Sequence, residues 1–216
     1  MFAAERIPPQ LVDPAPSLQT SKTPGEIYSM SISAIDPKTA LIVVDLQKGV
    51  VAHPCVHPAS VVIQNAAELV AAFHELRLPV VFVTVAGTAP GRTEQALSKG
   101  PRAADWAELV PELTPHPGDQ HVTKRTWDAF TGTGLETELK DQGVTQVVIA
   151  GIATSIGVES TARVAYALGF NVTLAVDAMS DRNAAAHDNS VSYIFPRLGE
   201  TGTNREILSI LTKRSA

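Results

Sequence analysis

Two ionisable residues and one glycine lie at or just after the ends of predicted strands, where the functional groups of a parallel sheet collect. Asp45 ends the apolar run LIVVD, Lys124 ends the shorter run HVTK, and Gly157 lies in the turn GIATSIG between an apolar and an amphipathic segment. A carboxylic acid and an amine can move protons, whereas a glycine has no side chain to act as a nucleophile. The three residues therefore predict proton chemistry by Asp45, without a covalent intermediate at position 157.

Asp45 and Lys124 both follow segments typical of buried strands. A buried charge without a partner is costly, and lysine is rarely buried unpaired. We therefore expect the two side chains to meet at the carboxyl edge of the sheet. The alternatives are that Asp45 caps a loop and that Lys124, followed by Arg125, is a solvated surface residue.

Residues near these three are candidates for substrate contact. Gln47, on the same side as Asp45 if the strand alternation continues, either orients that acid or satisfies loop backbone. Arg92 lies in a Gly/Pro loop that either brings a guanidinium to an anionic substrate or is plain surface. Trp127 and Phe130 are aromatic candidates for the pocket wall, with core packing as the alternative for each.

The turn GIATSIG offers small residues whose backbone N–H groups face the start of a helix. Such a position suits an oxyanion or a carboxylate. We therefore assign Ala153, Thr154 and Ser155 to substrate binding. Helix capping is the commoner use of Thr154 and Ser155, and neither has a neighbouring histidine in sequence, which argues against a serine hydrolase.

The segment HPCVHP brings His53, Cys55 and His57 close together and raises the question of a metal site. Its spacing matches no common zinc pattern, and its two prolines make it a stiff loop. Cys55 lies in a loop rather than at a strand-to-helix turn, so we interpret it as a small buried hydrophobe. The sequence predicts no metal and no cofactor.

The elements that must position these residues alternate along the chain. The apolar runs ALIVVDL, PVVFVTV, TQVVIAG and NVTLAVD predict strands covered on both faces, and HVTK predicts a shorter one. Helical spacing predicts helices in ASVVIQNAAELVAAFHELRL, ADWAELVPEL, GLETELKDQG, VESTARVAYALG, AAAHDNSVSYIF and TNREILSIL. Repeated strand–helix units predict an α/β fold with a parallel sheet and functional groups at the carboxyl ends of its strands.

Length and composition narrow the class of protein. The 216 residues suit one ordinary domain, and a formal net charge of -5 without a Lys/Arg-rich run gives no indication of a nucleic-acid or membrane surface. A single cysteine excludes an intramolecular disulfide, and we expect a cytoplasmic protein acting on a small molecule. We assign residues 1–35, rich in Pro, Ser, Thr and Gln, to an arm or disordered tail, and residues 36–216 to the folded domain.

Three segments, in this order, resemble the isochorismatase-like (cysteine hydrolase) superfamily: ALIVVDLQ, VTKRTWDAFTGTGLETEL and VVIAGIATSIGVESTARVAYALGFNVTLAVDAMSD. The resemblance covers the chain from about Asp36 to its C-terminus. It implies a three-layer α/β/α sandwich around a Rossmann-like, mostly parallel sheet. It also implies assembly into a homo-oligomer, a dimer or a tetramer.

In most of that superfamily an Asp–Lys–Cys triad hydrolyses amides through a thioester. Asp45 and Lys124 match the first two members, but Gly157 falls where the cysteine would be, as in the isochorismate hydrolases. The resemblance thus implies metal-free hydrolysis of a small vinyl ether such as isochorismate, with protonated Asp45 as general acid. Lys124 would hold a carboxylate or orient water, and Gly157 would leave room for the substrate.

Three alternatives stay open at this point. The turn TSIGVEST differs from that of the isochorismate hydrolases, which leaves another vinyl ether or an unrelated compound as the substrate. The second alternative is that the chain is a catalytically silent binding or assembly module that kept the fold. Amide hydrolysis by Cys55 is the last alternative.

Overall fold

A six-stranded sheet, with every neighbouring pair of strands parallel, forms the centre of the computed structural model, which describes residues 32–94 and 101–213. The strands occur in the spatial order β3-β2-β1-β4-β5-β6. Their bounds are Thr39–Val44 (β1), Val80–Val85 (β2), Gln120–Lys124 (β3), Gln146–Ile152 (β4), Asn171–Ser180 (β5) and Glu200–Gly202 (β6). The first five confirm the predicted strands. The short β6 was not predicted, because three residues carry too little periodicity.

Helices connect the strands and cover both faces of the sheet. They are Lys48–Val51 (α1), Ala59–Glu75 (α2), Leu135–Asp141 (α3), Glu159–Ala167 (α4), Ala184–Asn189 (α5) and Asn204–Lys213 (α6). A π-helical turn, Thr154–Val158, leads into α4, and a second one, Ser190–Ile194, follows α5 and ends in the 3-10 turn Phe195–Arg197. The short α1 was not predicted.

Two hydrophobic clusters lie on opposite faces of the sheet and define the layers. The first joins α2 and α6 to one set of alternating strand residues, among them Leu41 and Val43. The second joins α3 and α4 to the other set, among them Ile42 and Val44. This arrangement confirms the expected α/β/α sandwich.

The helix expected in ADWAELVPEL is wrong, because residues 104–113 form turns and a single β-bridge. Their backbone pairs with the chain that follows β1: Lys48 N–H donates to Glu108 O at 2.8 Å and Gly49 N–H donates to Trp106 O at 2.9 Å. Carbonyl groups used in this way are not available to an internal helical ladder, and Pro111 removes an N–H group as well. The segment instead becomes a cover for the residues after Asp45.

Most of the predicted N-terminal arm lies outside the described residues, which begin at residue 32. Ile32 and Ile35, at the end of that arm, are buried in the first hydrophobic cluster. No helix within the described residues is long and apolar enough to cross a membrane.

Gly151 of the central strand β4 lies opposite Val44 of β1, in close contact with its backbone. Gly151 has a φ of 126°, and a β-carbon added to it would lie 2.0 Å from the Val44 carbonyl oxygen. Its pairing with β5 also shifts register at this point. Only glycine satisfies both the backbone angle and the space. This close approach lies at Val44, the last residue of β1, directly before Asp45.

We predict that Gly151→Ala lowers the free energy of unfolding by about 3 kcal/mol or more, since it adds a steric clash to an unfavourable backbone angle. Gly118→Ala is the matched control, because Gly118 has a φ of 107° and no atom within 4 Å of the added β-carbon. It should cost only about 1 kcal/mol, from the backbone alone. Urea denaturation of both variants measures the difference, and equal losses would show that contact with Val44 plays no part.

Candidate functional site

Asp45, Lys124 and Gly157 come together at the carboxyl edge of the sheet. Lys124 belongs to β3 and Asp45 follows β1, so the lysine side chain has to cross the end of β2, a distance of about 10 Å between backbones. Its Nζ atom lies 2.9 Å from Asp45 Oδ2. Both side chains are buried, with 1% of the Lys124 side chain and 9% of the Asp45 side chain exposed. The pair forms as the sequence predicts.

The backbone at Asp45 explains how the acid reaches this side of the sheet. Val44 packs into the second hydrophobic cluster, so regular alternation would turn Asp45 toward the first. Asp45 instead has a φ of 53°, which breaks the alternation and leaves Leu46 to fill the first cluster. Aspartate tolerates this left-handed conformation better than most residues. The carboxylate can therefore meet Lys124, which lies on the same face as Val122.

Burial dominates the electrostatics of the pair. Removal from water raises the pKa of Asp45 from 3.8 to about 6, although the charge of Lys124 and its hydrogen bond pull in the opposite direction. Asp45 Oδ1 is buried and has no hydrogen-bond partner among the described residues. The acid therefore keeps one oxygen available and titrates close to neutral pH.

Lys124 has a second partner besides the acid. Its Nζ atom also donates to the carbonyl oxygen of Trp127 in the next loop. The two acceptors hold the ammonium group between β1 and that loop. A fixed cation beside Asp45 can stabilise the carboxylate that remains after a proton has left.

Gly157 closes the third side of the site. A β-carbon added to it would lie 2.9 Å from Val44 Cγ1, 3.1 Å from Lys124 Nζ and 3.2 Å from Asp45 Oδ2. Position 157 thus faces the acid and the amine directly. The position is too tight for a β-carbon unless its neighbours shift, so glycine fits it best.

The turn before Gly157 uses its polar groups within the fold. Thr154 is fully buried, and its hydroxyl lies 2.9 Å from Nδ1 of His187. Both the N–H and the hydroxyl of Ser155 donate to Asp181 Oδ2, at 2.7 and 2.8 Å. Ala153, after a cis peptide bond, accepts at its carbonyl from two N–H groups of the turn. These contacts give Thr154 and Ser155 structural roles; substrate binding by the three residues stays a prediction.

Gln47 holds backbone in place. Its Oε1 atom accepts from Val85 N–H at 2.7 Å, and its Nε2 atom donates to the carbonyls of Val85 and Trp106 at 3.2 Å each. Of the two roles considered for Gln47, this geometry favours satisfying loop backbone over orienting Asp45. The residue links the end of β2 to the covering segment.

The remaining candidates, two aromatic residues and an arginine, differ in exposure and packing. Trp127 is beside the site, with 62% of its surface exposed. Phe130 is buried in the second cluster and stacks on Phe170, which favours the packing role. Arg92 is exposed, and among the described residues no hydrogen bond or ion pair joins it to Asp45 or Lys124. Its contact with substrate therefore stays a prediction.

The loop with His53, Cys55 and His57 packs at the end of β5, where His57 N–H donates to Ser180 Oγ at 2.9 Å. Burial raises the pKa of the Cys55 thiol, so the nucleophilic thiolate is disfavoured. Within the described ranges no group of three or more His, Cys, Asp or Glu side chains is arranged to hold a metal ion. The position of Cys55 argues against its serving as the missing nucleophile.

Sequence reasoning missed two residues that shape the turn. Asp181 follows β5 as Asp45 follows β1, so the same rule about strand ends would have singled it out. Thr161 lies in α4, fully buried, and its hydroxyl donates to Gly157 O at 2.6 Å and accepts from Ala129 N–H at 3.1 Å. It thereby ties the glycine turn to the loop that supplies the Trp127 carbonyl. Nothing in the sequence pattern marks such a threonine.

Comparison with known proteins identifies the family. The family model for the isochorismatase domain matches residues 39–206. The chain belongs to the isochorismatase family. Its curated relatives include YwoC from Bacillus subtilis, 42% identical over 178 residues that cover 79% of this chain and 93% of YwoC. YecD from Escherichia coli O157:H7 is 40% identical over 182 residues, covering 80% of this chain and 96% of YecD. Both relatives are described as isochorismatase family proteins.

A solved structure supports the same conclusion about the fold. An isochorismatase family protein from Burkholderia thailandensis superposes with a TM-score of 0.80 at 38% identity, covering 84% of this chain and all of the other. The isochorismatase family consists of hydrolases that act on small molecules. The comparisons therefore identify this chain as an isochorismatase-family hydrolase.

We predict that Thr161→Val lowers the free energy of unfolding by about 2 kcal/mol, because the isosteric side chain leaves the buried Ala129 N–H without an acceptor. Thr161→Ser keeps the hydroxyl and is the matched control, with a smaller loss from the missing methyl group. Denaturation curves compare the two. If serine were as damaging as valine, the hydroxyl bridge would not be what stabilises the turn.

Proposed function

We propose that this family member hydrolyses a small vinyl ether such as isochorismate by acid–base chemistry, without a metal and without a covalent intermediate. The observation that carries the proposal is the buried Asp45, which has a raised pKa, an unpartnered Oδ1 and its other oxygen, Oδ2, beside the Gly157 position. A carboxylic acid that titrates near neutral pH is suited to donating a proton.

The first step is protonation of carbon. Asp45 in its neutral form delivers its proton to the terminal vinyl carbon, and the ether oxygen stabilises the resulting oxocarbenium ion. The C–O bond of the ring substituent stays intact in this step. Asp45 becomes a carboxylate, and the ion pair with Lys124 at 2.9 Å compensates its charge.

Addition of water completes the reaction. Water attacks the oxocarbenium carbon and loses a proton, for which the Asp45 carboxylate is the nearest base. The hemiketal then breaks its bond to the ring oxygen and releases pyruvate and the ring alcohol. Asp45 ends in its protonated form, so the cycle needs no oxidant, reductant or nucleophilic side chain.

Glycine at 157 suits this route better than acyl transfer, because no nucleophilic side chain stands beside Asp45 Oδ2 and Lys124 Nζ. The acid oxygen left for the substrate is Oδ1, which has no hydrogen-bond partner among the described residues. The raised pKa of the Cys55 thiol and its place at the end of β5 argue against an amidase that uses that residue instead.

We predict that the wild-type protein releases pyruvate from isochorismate and that Asp45→Asn lowers kcat by about a hundredfold or more, since the amide cannot donate the proton. A coupled lactate dehydrogenase assay measures the release. Cys55→Ala is the control variant and should keep full activity, as should protein treated with a thiol alkylating agent.

Three outcomes would count against this proposal. Undiminished turnover by Asp45→Asn would remove the acid from the mechanism. Loss of activity in Cys55→Ala would favour the thiol. Stabilisation of the protein by isochorismate without pyruvate formation would support the binding-module alternative.

We further predict that kcat/KM for isochorismate falls tenfold per pH unit above pH about 6. The sign follows from the role of the group: the general acid must be protonated in the free enzyme, and Asp45 loses its proton as the pH rises through its pKa of about 6. A pH profile of initial rates measures this limb. A rate that instead increased with pH through the same range would assign Asp45 to a base.

A further inference from the structure

Two exposed arginine side chains reach the end of β2. Arg102 Nη1 donates to the carbonyl oxygen of Ala86 at 3.4 Å. Arg125 lies against the next residue, since a β-carbon added to Gly87 would be 3.1 Å from Arg125 Nη1. The two guanidinium groups therefore flank the same two residues of backbone, although they come from separate segments of the chain.

This backbone directly follows β2, the strand between the acid and the lysine. In the sheet, β2 lies directly between β1 and β3, and Ala86 N–H donates to the carbonyl oxygen of Lys124 at 2.9 Å. Lys124 crosses the end of β2 to reach Asp45. Adjacent strands lie about 5 Å apart, so the arginines flank the chain that continues the strand next to the acid.

Arg102 is also oriented before any ligand binds. Its guanidinium carbon lies 4.1 Å from the centre of the Trp106 ring. That ring occupies the space beside Gly49, where an added β-carbon would lie only 2.0 Å from it. Among the described residues, neither Arg102 nor Arg125 forms an ion pair with a carboxylate. Two guanidinium groups therefore keep their charge available for an anion.

We infer that Arg102 and Arg125 form an anion subsite, so that the site selects small unsaturated or aromatic carboxylates over neutral analogues. The inference depends on the proposed function for the location of the reacting group. A guanidinium binds a carboxylate through two parallel hydrogen bonds, and the exposed Trp127 side chain offers an apolar surface for a ring. The carboxylate would hold the substrate while its reacting group lies beside Asp45.

Both tryptophans of the chain, Trp106 and Trp127, lie at this edge, so intrinsic fluorescence reports on the subsite. Benzoate and benzamide are suitable probes because they differ in charge and hardly in shape. We expect benzoate to bind wild-type protein about tenfold or more tightly than benzamide, and added salt to weaken only benzoate.

Variants assign the effect to the arginines. Arg102→Gln and Arg125→Gln should each raise the Kd for benzoate about tenfold and leave that for benzamide unchanged. Arg77→Gln is the control, since this exposed arginine follows α2 at the opposite edge of the sheet. Isothermal titration calorimetry measures benzoate binding by Arg102→Gln independently of fluorescence. This second measurement is needed because the substitution itself can change the fluorescence of Trp106.

The results separate this inference from the proposed function. Equal affinity for the two probes, no benzoate binding at millimolar concentrations, or arginine variants that bind benzoate like wild type would overturn the subsite. Pyruvate release together with any of these results would leave the function standing without the subsite. Arginine-dependent benzoate binding without pyruvate release would retain the subsite and overturn the vinyl-ether activity.

Discussion

The site depends on one buried ion pair that spans a strand. Lys124 reaches across β2 to Asp45, so the pair ties together the ends of β1, β2 and β3 in a place with almost no access to water. Breaking such a pair by removing one partner leaves an uncompensated charge, which is strongly unfavourable. The surrounding contacts keep both groups in position: Gln47 fixes the end of β2, and the Trp127 carbonyl anchors the ammonium group.

Two opposing effects set the ionisation of the acid in this pair. Burial favours the neutral form of Asp45, whereas Lys124 favours the charged form, and burial has the larger effect on its pKa. Because ionisation is disfavoured in the folded chain, the stability that this group contributes is present at low pH and is lost as pH rises through about 6. Ionisation of the acid therefore costs the fold free energy above that pH.

Sequence patterns predicted the main strands, the two faces of helices and the meeting of Asp45 with Lys124, because apolar periodicity and strand-end positions are local signals. They failed where tertiary contacts override local preference. Residues 104–113 have a helical pattern, yet two of their carbonyls, those of Trp106 and Glu108, accept from the N–H groups of Gly49 and Lys48. Likewise, strand alternation placed Gln47 beside Asp45, but the left-handed backbone at that acid ended the alternation. The sequence periodicity did not indicate the buried hydroxyl of Thr161.

Val44 contacts both glycines that flank the site: its backbone lies against Gly151 and its Cγ1 atom against the space of Gly157. Valine is stiff, and here it is fully buried, so it cannot easily turn aside. A cysteine introduced at 157 would therefore meet a crowded neighbour, and it would be accepted more readily after Val44 had become smaller. The order of the two substitutions thus constrains how a thiol could be placed at this position.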